Sequence, residues 1–92
     1  MLELSSFLRL TKRSRTDIVK SLLEICKKVP TITTLLYESR LSYSQLRWYI
    51  DIMEDNGLVK VSKEGRFGTT VKGDKYLKVV AELDKLVRFD KD

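Results

Sequence analysis

The stretch from Ser42 to Gly57 constrains the fold more tightly than any other part of the chain. Ser42 followed three residues later by Gln45 is a capping box, in which each side chain satisfies a backbone amide that a helix start leaves unpaired. Tyr43, Leu46, Tyr49, Ile50 and Met53 then recur at the three-and-four spacing of one inward helix face. Asn56-Gly57 closes the pattern, glycine supplying the left-handed residue that commonly ends a helix. Both ends of this helix are therefore set by local chemistry, and neighbouring elements must be built around it.

Upstream, Ser14 with Asp17 three residues on reads as the N-cap of a helix over about 15–28. Ile18, Leu22, Ile25, Cys26 and Val29 give it an apolar face, and Pro30 stops it. Thr31 can cap a short second helix, with Ile32, Leu35 and Leu36 inward, that ends near Ser39; its β-branched residues make it intrinsically poor. Downstream, Leu58 to Val61 reads as a strand, Lys63-Glu64-Gly65-Arg66 as a turn and Phe67 to Val71 as the returning strand, with Gly65 and Gly68 permitting unusual backbone angles. Thr70 can cap a long last helix reaching about residue 89, with Tyr76, Val79, Val80, Leu83, Leu86 and Val87 on one stripe. Met1 to Leu10 is a short apolar segment that needs a surface to cover.

Composition narrows the chemistry. The 92 residues carry 18 Lys and Arg against 13 Asp and Glu, a formal charge of +5, with no histidine and one cysteine, Cys26. Ser-His-Asp and Cys-His catalysis, His-ligated zinc and an intramolecular disulfide are thereby removed. All four glycines fall at caps and turns, so no phosphate-cradling loop is present, and no convergent pair of carboxylates stands out as acid and base. A non-enzyme is expected, with no cofactor, no metal and no small-molecule ligand. No apolar run approaches the roughly 18–20 residues of a membrane span, so a cytoplasmic protein with no membrane partner is expected. A chain this short is marginal alone, which makes a partner subunit a fair expectation. The sequence pI near 9.4 points toward polyanions.

Three helices, the second and third joined by a tight turn, followed by a basic hairpin and a further helix, form the element order of a winged helix-turn-helix domain. The expected fold class is mainly α with a small β-hairpin, with a long C-terminal dimerisation helix. One domain is expected over 1–92: a core at about 12–72, a C-terminal helix at about 71–89 and an N-terminal apolar extension at 1–11. Particular residues go further. Arg13-Ser14-Arg15 leading into Ile18, Leu23-Glu24-Ile25-Cys26, Tyr37, Leu41-Ser42-Tyr43, Tyr49-Ile50, Gly57-Leu58-Val59 and Thr70-Val71-Lys72-Gly73 together resemble the ten-kilodalton winged-helix DNA-binding proteins of crenarchaeal chromatin, over roughly residues 12–89. The resemblance implies a nucleoid-associated homodimer, joined through the last helix as an antiparallel coiled coil, that binds double-stranded DNA with little sequence preference. This chain departs from that pattern at Thr33 and Thr34, where the family usually has a basic residue, in its shorter last helix and in the extra Met1 to Leu10 segment.

Stepping about 100° per residue from Leu46 puts Ser44, Arg47, Trp48 and Asp51 on the outward face of the third helix. Arg47 can reach a guanine edge or a phosphate, Ser44 can help hold a phosphate at the helix start, and Trp48 can stack on sugar or cover the wing. Asp51, Glu54 and Asp55 face only Arg47 on that helix, so docking must use its N-terminal half. Lys12, Arg13 and Arg15 before the first helix, with Lys60, Lys63 and Arg66 in the wing, form basic patches on either side. Tyr37, Tyr43 and Tyr49 read as core residues at helix junctions, and Cys26 as a small buried hydrophobe. Tyr76, Val79, Val80, Leu83, Leu86, Val87 and Phe89 are the candidate dimer interface. Three functions follow: an architectural duplex-binding protein of chromatin, a sequence-specific transcriptional regulator in which Arg47 reads bases, and a protein-interaction module built on Trp48 and the acidic helix end.

Overall fold

The computed structural model describes residues 14–87. Lys12, Arg13, Phe89 and the Met1 to Leu10 segment lie outside the described residues. Every helix starts at the side chain that the sequence marks as its cap. In α1 (Arg15–Cys26) the Ser14 hydroxyl accepts from the Asp17 amide at 3.0 Å. In α2 (Ile32–Ser39) the Thr31 hydroxyl accepts from the Thr34 amide at 3.4 Å. The capping box of α3 (Tyr43–Asp55) is reciprocal: the Gln45 amide donates to Ser42 Oγ at 3.2 Å and the Ser42 amide to Gln45 Oε1 at 3.1 Å. Thr70 caps α4 (Val71–Leu86), accepting from the Gly73 amide at 3.0 Å.

The hairpin pairs β1 (Val59–Val61) with β2 (Phe67–Thr69) antiparallel, in the register Val59 to Thr69, Lys60 to Gly68 and Val61 to Phe67. The linker after α1 joins this ribbon along β2, through a bridge between Thr31 and Arg66 and a bond from the Phe67 amide to the Pro30 carbonyl at 2.9 Å. The core gathers Leu22, Leu23 and Cys26 of α1, Leu35 of α2, and Leu46, Ile50 and Met53 of α3, all fully buried, under Leu58, Val59, Phe67 and Leu77. Burial pushes the Cys26 thiol up to about 11, because a thiolate there would lose its solvation.

Several side chains take places other than those expected. Leu23, absent from the expected face of α1, is fully buried, while Val29 is 45% exposed and left-handed, at φ 53. Tyr43 and Tyr37 are exposed, at 58% and 84%, instead of lying in the core. Tyr43 is the first residue of α3, beyond the reach of the core, and Tyr37 lies two residues past Leu35, roughly 200° around α2 from its buried face. Gly68 does not use a positive φ; in the hairpin that role belongs to Gly65, at φ 79. The stripe expected along α4 divides in two. Gly73, Leu77 and Val80 are buried, Leu77 in the core, whereas Val79, Leu83, Leu86 and Val87 stay exposed.

Gly73 fixes how α4 docks. A Cβ at that position would lie 2.3 Å from the Leu58 carbonyl oxygen and 3.2 Å from a Leu23 methyl. Gly73→Ala gains about 1 kcal/mol of helix propensity, but the clash is with backbone, which cannot swing aside. The expected outcome is a net loss of about 1–3 kcal/mol, read as a lowered midpoint in urea unfolding. Gly68→Ala is the control: its Cβ meets nothing within 4 Å, and the substitution should be neutral or stabilise by up to about 1 kcal/mol.

Candidate nucleic-acid interface

α3 presents its outward face as the spacing indicates. Ser44 and Asp51 are exposed, Trp48 is 47% exposed and Arg47 is half-buried. Arg47, expected to reach outward, is engaged at home: its Nη2 donates to Asp51 Oδ1 at 2.9 Å across one helical turn. Both partners are substantially exposed, so the pair is worth only about 0.3–0.5 kcal/mol and yields readily to a phosphate. The Ser44 hydroxyl lies 3.4 Å from that of Ser42, at the first turn where backbone amides also point outward.

Trp48 meets α1. The guanidinium carbon of Arg15 sits 5.3 Å from the indole centroid, and Tyr49 packs edge-on to the same ring at 5.0 Å. A cation over the negative face of an indole is attracted by its quadrupole. Two residues selected separately from the sequence, Arg15 and Trp48, are thus brought together, and α1 contributes its basic start to the outward side of α3. Both of these ring contacts are made on the helical side of the domain, with α1 and within α3 itself.

The wing holds its cations differently. Lys60 on β1 and Lys63 in the turn are exposed. Arg66 is tethered, its Nη1 donating to the Val29 carbonyl at 3.0 Å and its amide to Ser62 Oγ at 3.1 Å. That tether uses one of the five donors of the guanidinium. β1 packs against α3, so wing and recognition helix form one surface. Arg40, exposed and left-handed at φ 61 in the turn before α3, is a further cation outside the basic patches marked in the sequence. Its place between two short helices was the available signal, since residues of a tight turn project outward.

On the far side, Lys20 of α1 pairs with Asp84 of α4 at 3.0 Å, and the hydrogen bond to that carboxylate holds the Lys20 ammonium above its usual range. α4 therefore lies along α1 as far as Asp84. Among the described residues no helix is long and apolar enough to cross a membrane.

A tri-helical unit with a tight α2–α3 turn and a basic hairpin packed on α3 agrees with a comparison to family models, in which the winged helix-turn-helix model matches residues 12–88. The chain belongs to the winged helix-turn-helix family. No curated protein matches it. In winged helix-turn-helix terms α3 stands as the recognition helix and the hairpin as the wing, an arrangement that suggests DNA binding. Because the Arg47–Asp51 pair is solvent-exposed, Arg47→Ala should shift stability by less than about 0.5 kcal/mol, a change that a urea midpoint would barely register. A larger loss would show that the arginine supports the fold.

Proposed function

We propose that this winged helix-turn-helix protein is a homodimeric, nucleoid-associated architectural protein that binds double-stranded DNA chiefly through phosphates. The observation that carries the reading is the division of charge around α3. The C-terminal half of the recognition helix bears Asp51, Glu54 and Asp55, all exposed, and its one arginine is paired. The cations sit on elements that touch α3 from either side: Arg15 over Trp48, and Lys60, Lys63 and Arg66 on the wing. Lys12 and Arg13 precede Arg15 in the chain and extend that patch. Such a surface follows two phosphate backbones while the N-terminal half of α3 enters the groove, and it offers few side chains to read bases.

Dimerisation is the second part of the proposal. Val79, Leu83 and Leu86, 45%, 57% and 79% exposed, continue the alternating spacing of a coiled-coil seam, with Val87 beside them. Tyr76 is half-buried and Val80 is only 8% exposed, so these two offer less to a partner than the sequence alone implies. An antiparallel pairing of α4 with its copy covers the apolar row and sets the two DNA-binding faces apart, a geometry suited to joining duplexes.

Binding to unrelated duplexes over a salt series tests the first part. Affinity should fall linearly on a double logarithmic plot, alike for every duplex. Lys63→Gln and Arg66→Gln should each lower the slope by about 0.9. Asp51→Asn, which frees Arg47 and removes a repelled carboxylate, should strengthen binding. A loss confined to one DNA sequence would establish the regulator instead, and no duplex binding at low salt would leave the protein-interaction module. Sedimentation tests the second part: the unmodified protein should run as a dimer at micromolar concentration, and the Leu83→Lys, Leu86→Lys double variant as a monomer with weaker duplex binding.

A further inference from the structure

A groove of about 820 Å³ between α1 and α4 is lined by both signs of charge, and its Lys20 and Asp84 already satisfy each other. A smaller cleft of about 320 Å³, between the end of α1 and the wing, is different in kind. Three cations line it, Lys27, Lys60 and Arg66, together with the hydroxyl residues Ser62 and Thr69, and no carboxylate is among its lining residues. The carboxylate bonded to Thr69, that of Asp74, lines the large groove. Its remaining wall is apolar, formed by Val29, Val61 and the buried Cys26.

We propose that this cleft binds a compact organic anion, a carboxylate or phosphate head on an apolar body, held by Lys27, Lys60 and Arg66. Like charges gathered around a partly enclosed space repel one another, and an anion between them turns that repulsion into charge-assisted hydrogen bonds. The apolar wall takes the body of the ligand, as small-molecule sites generally combine an apolar lining with a few convergent polar groups.

Two backbone features point to the same place. Val29 is a β-branched residue held at φ 53, a strained conformation, and its carbonyl anchors the Arg66 guanidinium at 3.0 Å. Arg66 is thereby positioned before any ligand arrives. Gly68 lines the cleft at the middle of β2, yet it uses no positive φ, and a Cβ there would meet nothing within 4 Å. Neither the backbone nor packing calls for glycine, and glycine weakens a strand; what its absence of side chain provides is room for a ligand to approach the strand. Because Lys60 and Arg66 also belong to the duplex surface proposed above, anion and duplex compete, a consequence that rests on that reading while the binding itself does not.

The test is a calorimetric and NMR titration of the full chain, free of DNA, with benzoate and phenyl phosphate as probes and neutral benzamide as control. Both anions should bind saturably, with amide shifts centred on Lys27, Val29, Val61, Gly68 and Thr69, and benzamide about tenfold more weakly. Lys27→Gln should weaken both anions by about tenfold without moving the unfolding midpoint. Shifts scattered over all the surface lysines, or benzamide binding as well as benzoate, would overturn the proposal. In a separate arm with duplex present, either anion should lower duplex affinity. If duplex binding itself is absent while the anions still bind, only the competition is lost.

Discussion

The contact on which the rest of the domain depends is the approach of α4 to the backbone of Leu58, possible because position 73 has no side chain. Leu58 ties three elements together. Its amide donates to the Met53 carbonyl at the end of α3, its carbonyl accepts from the Thr70 amide ahead of α4, and its side chain is buried in the core. Thr70 repeats the link with one hydroxyl, donating to the Gly57 carbonyl and accepting from the Gly73 amide. A hydroxyl that both donates and accepts has its bonding satisfied, so the junction leaves little unpaired. Recognition helix, wing and last helix consequently share one small joint, and none of them can be tilted without straining the other two.

That joint gives the electrostatics their meaning. Acidic groups at the end of a recognition helix are an obstacle only if the helix must lie flat in a groove. In the proposed duplex mode, the wing on one side and the start of α1 on the other carry cations beside α3, so the domain can rest on basic points other than the helix's own C-terminal turn. In the same proposed mode Arg47 must first leave Asp51, a cost of only about 0.3–0.5 kcal/mol for so exposed a pair.

What the chain revealed in advance divides along the range of the interactions involved. Ser14, Thr31, Ser42 with Gln45, and Thr70 were all legible as caps, because a cap needs only residues three apart. The element order was legible for the same reason. The pairings that build the site were not, since Arg15 over Trp48 and Arg66 on the Val29 carbonyl join residues far apart in sequence with no local pattern to announce them. Helix faces were readable at the centre of α3, where Leu46, Ile50 and Met53 are enclosed by neighbours, and misleading at its edge, where Tyr43 has no neighbour to bury it. On α4, apolar character alone could not tell Leu77, which faces inward, from Leu83, which does not. The clearance at Gly73, which lies on the same side of the helix as Leu77, helps set that rotation.

Trp48 is the single tryptophan of the chain, and it is about half exposed with a guanidinium over its ring. Indole emission responds to the local electric field and to water, and both change if Arg15 is drawn away to a phosphate. The protein therefore carries its own fluorescent gauge at the seam between α1 and α3, sensitive to the departure of one side chain.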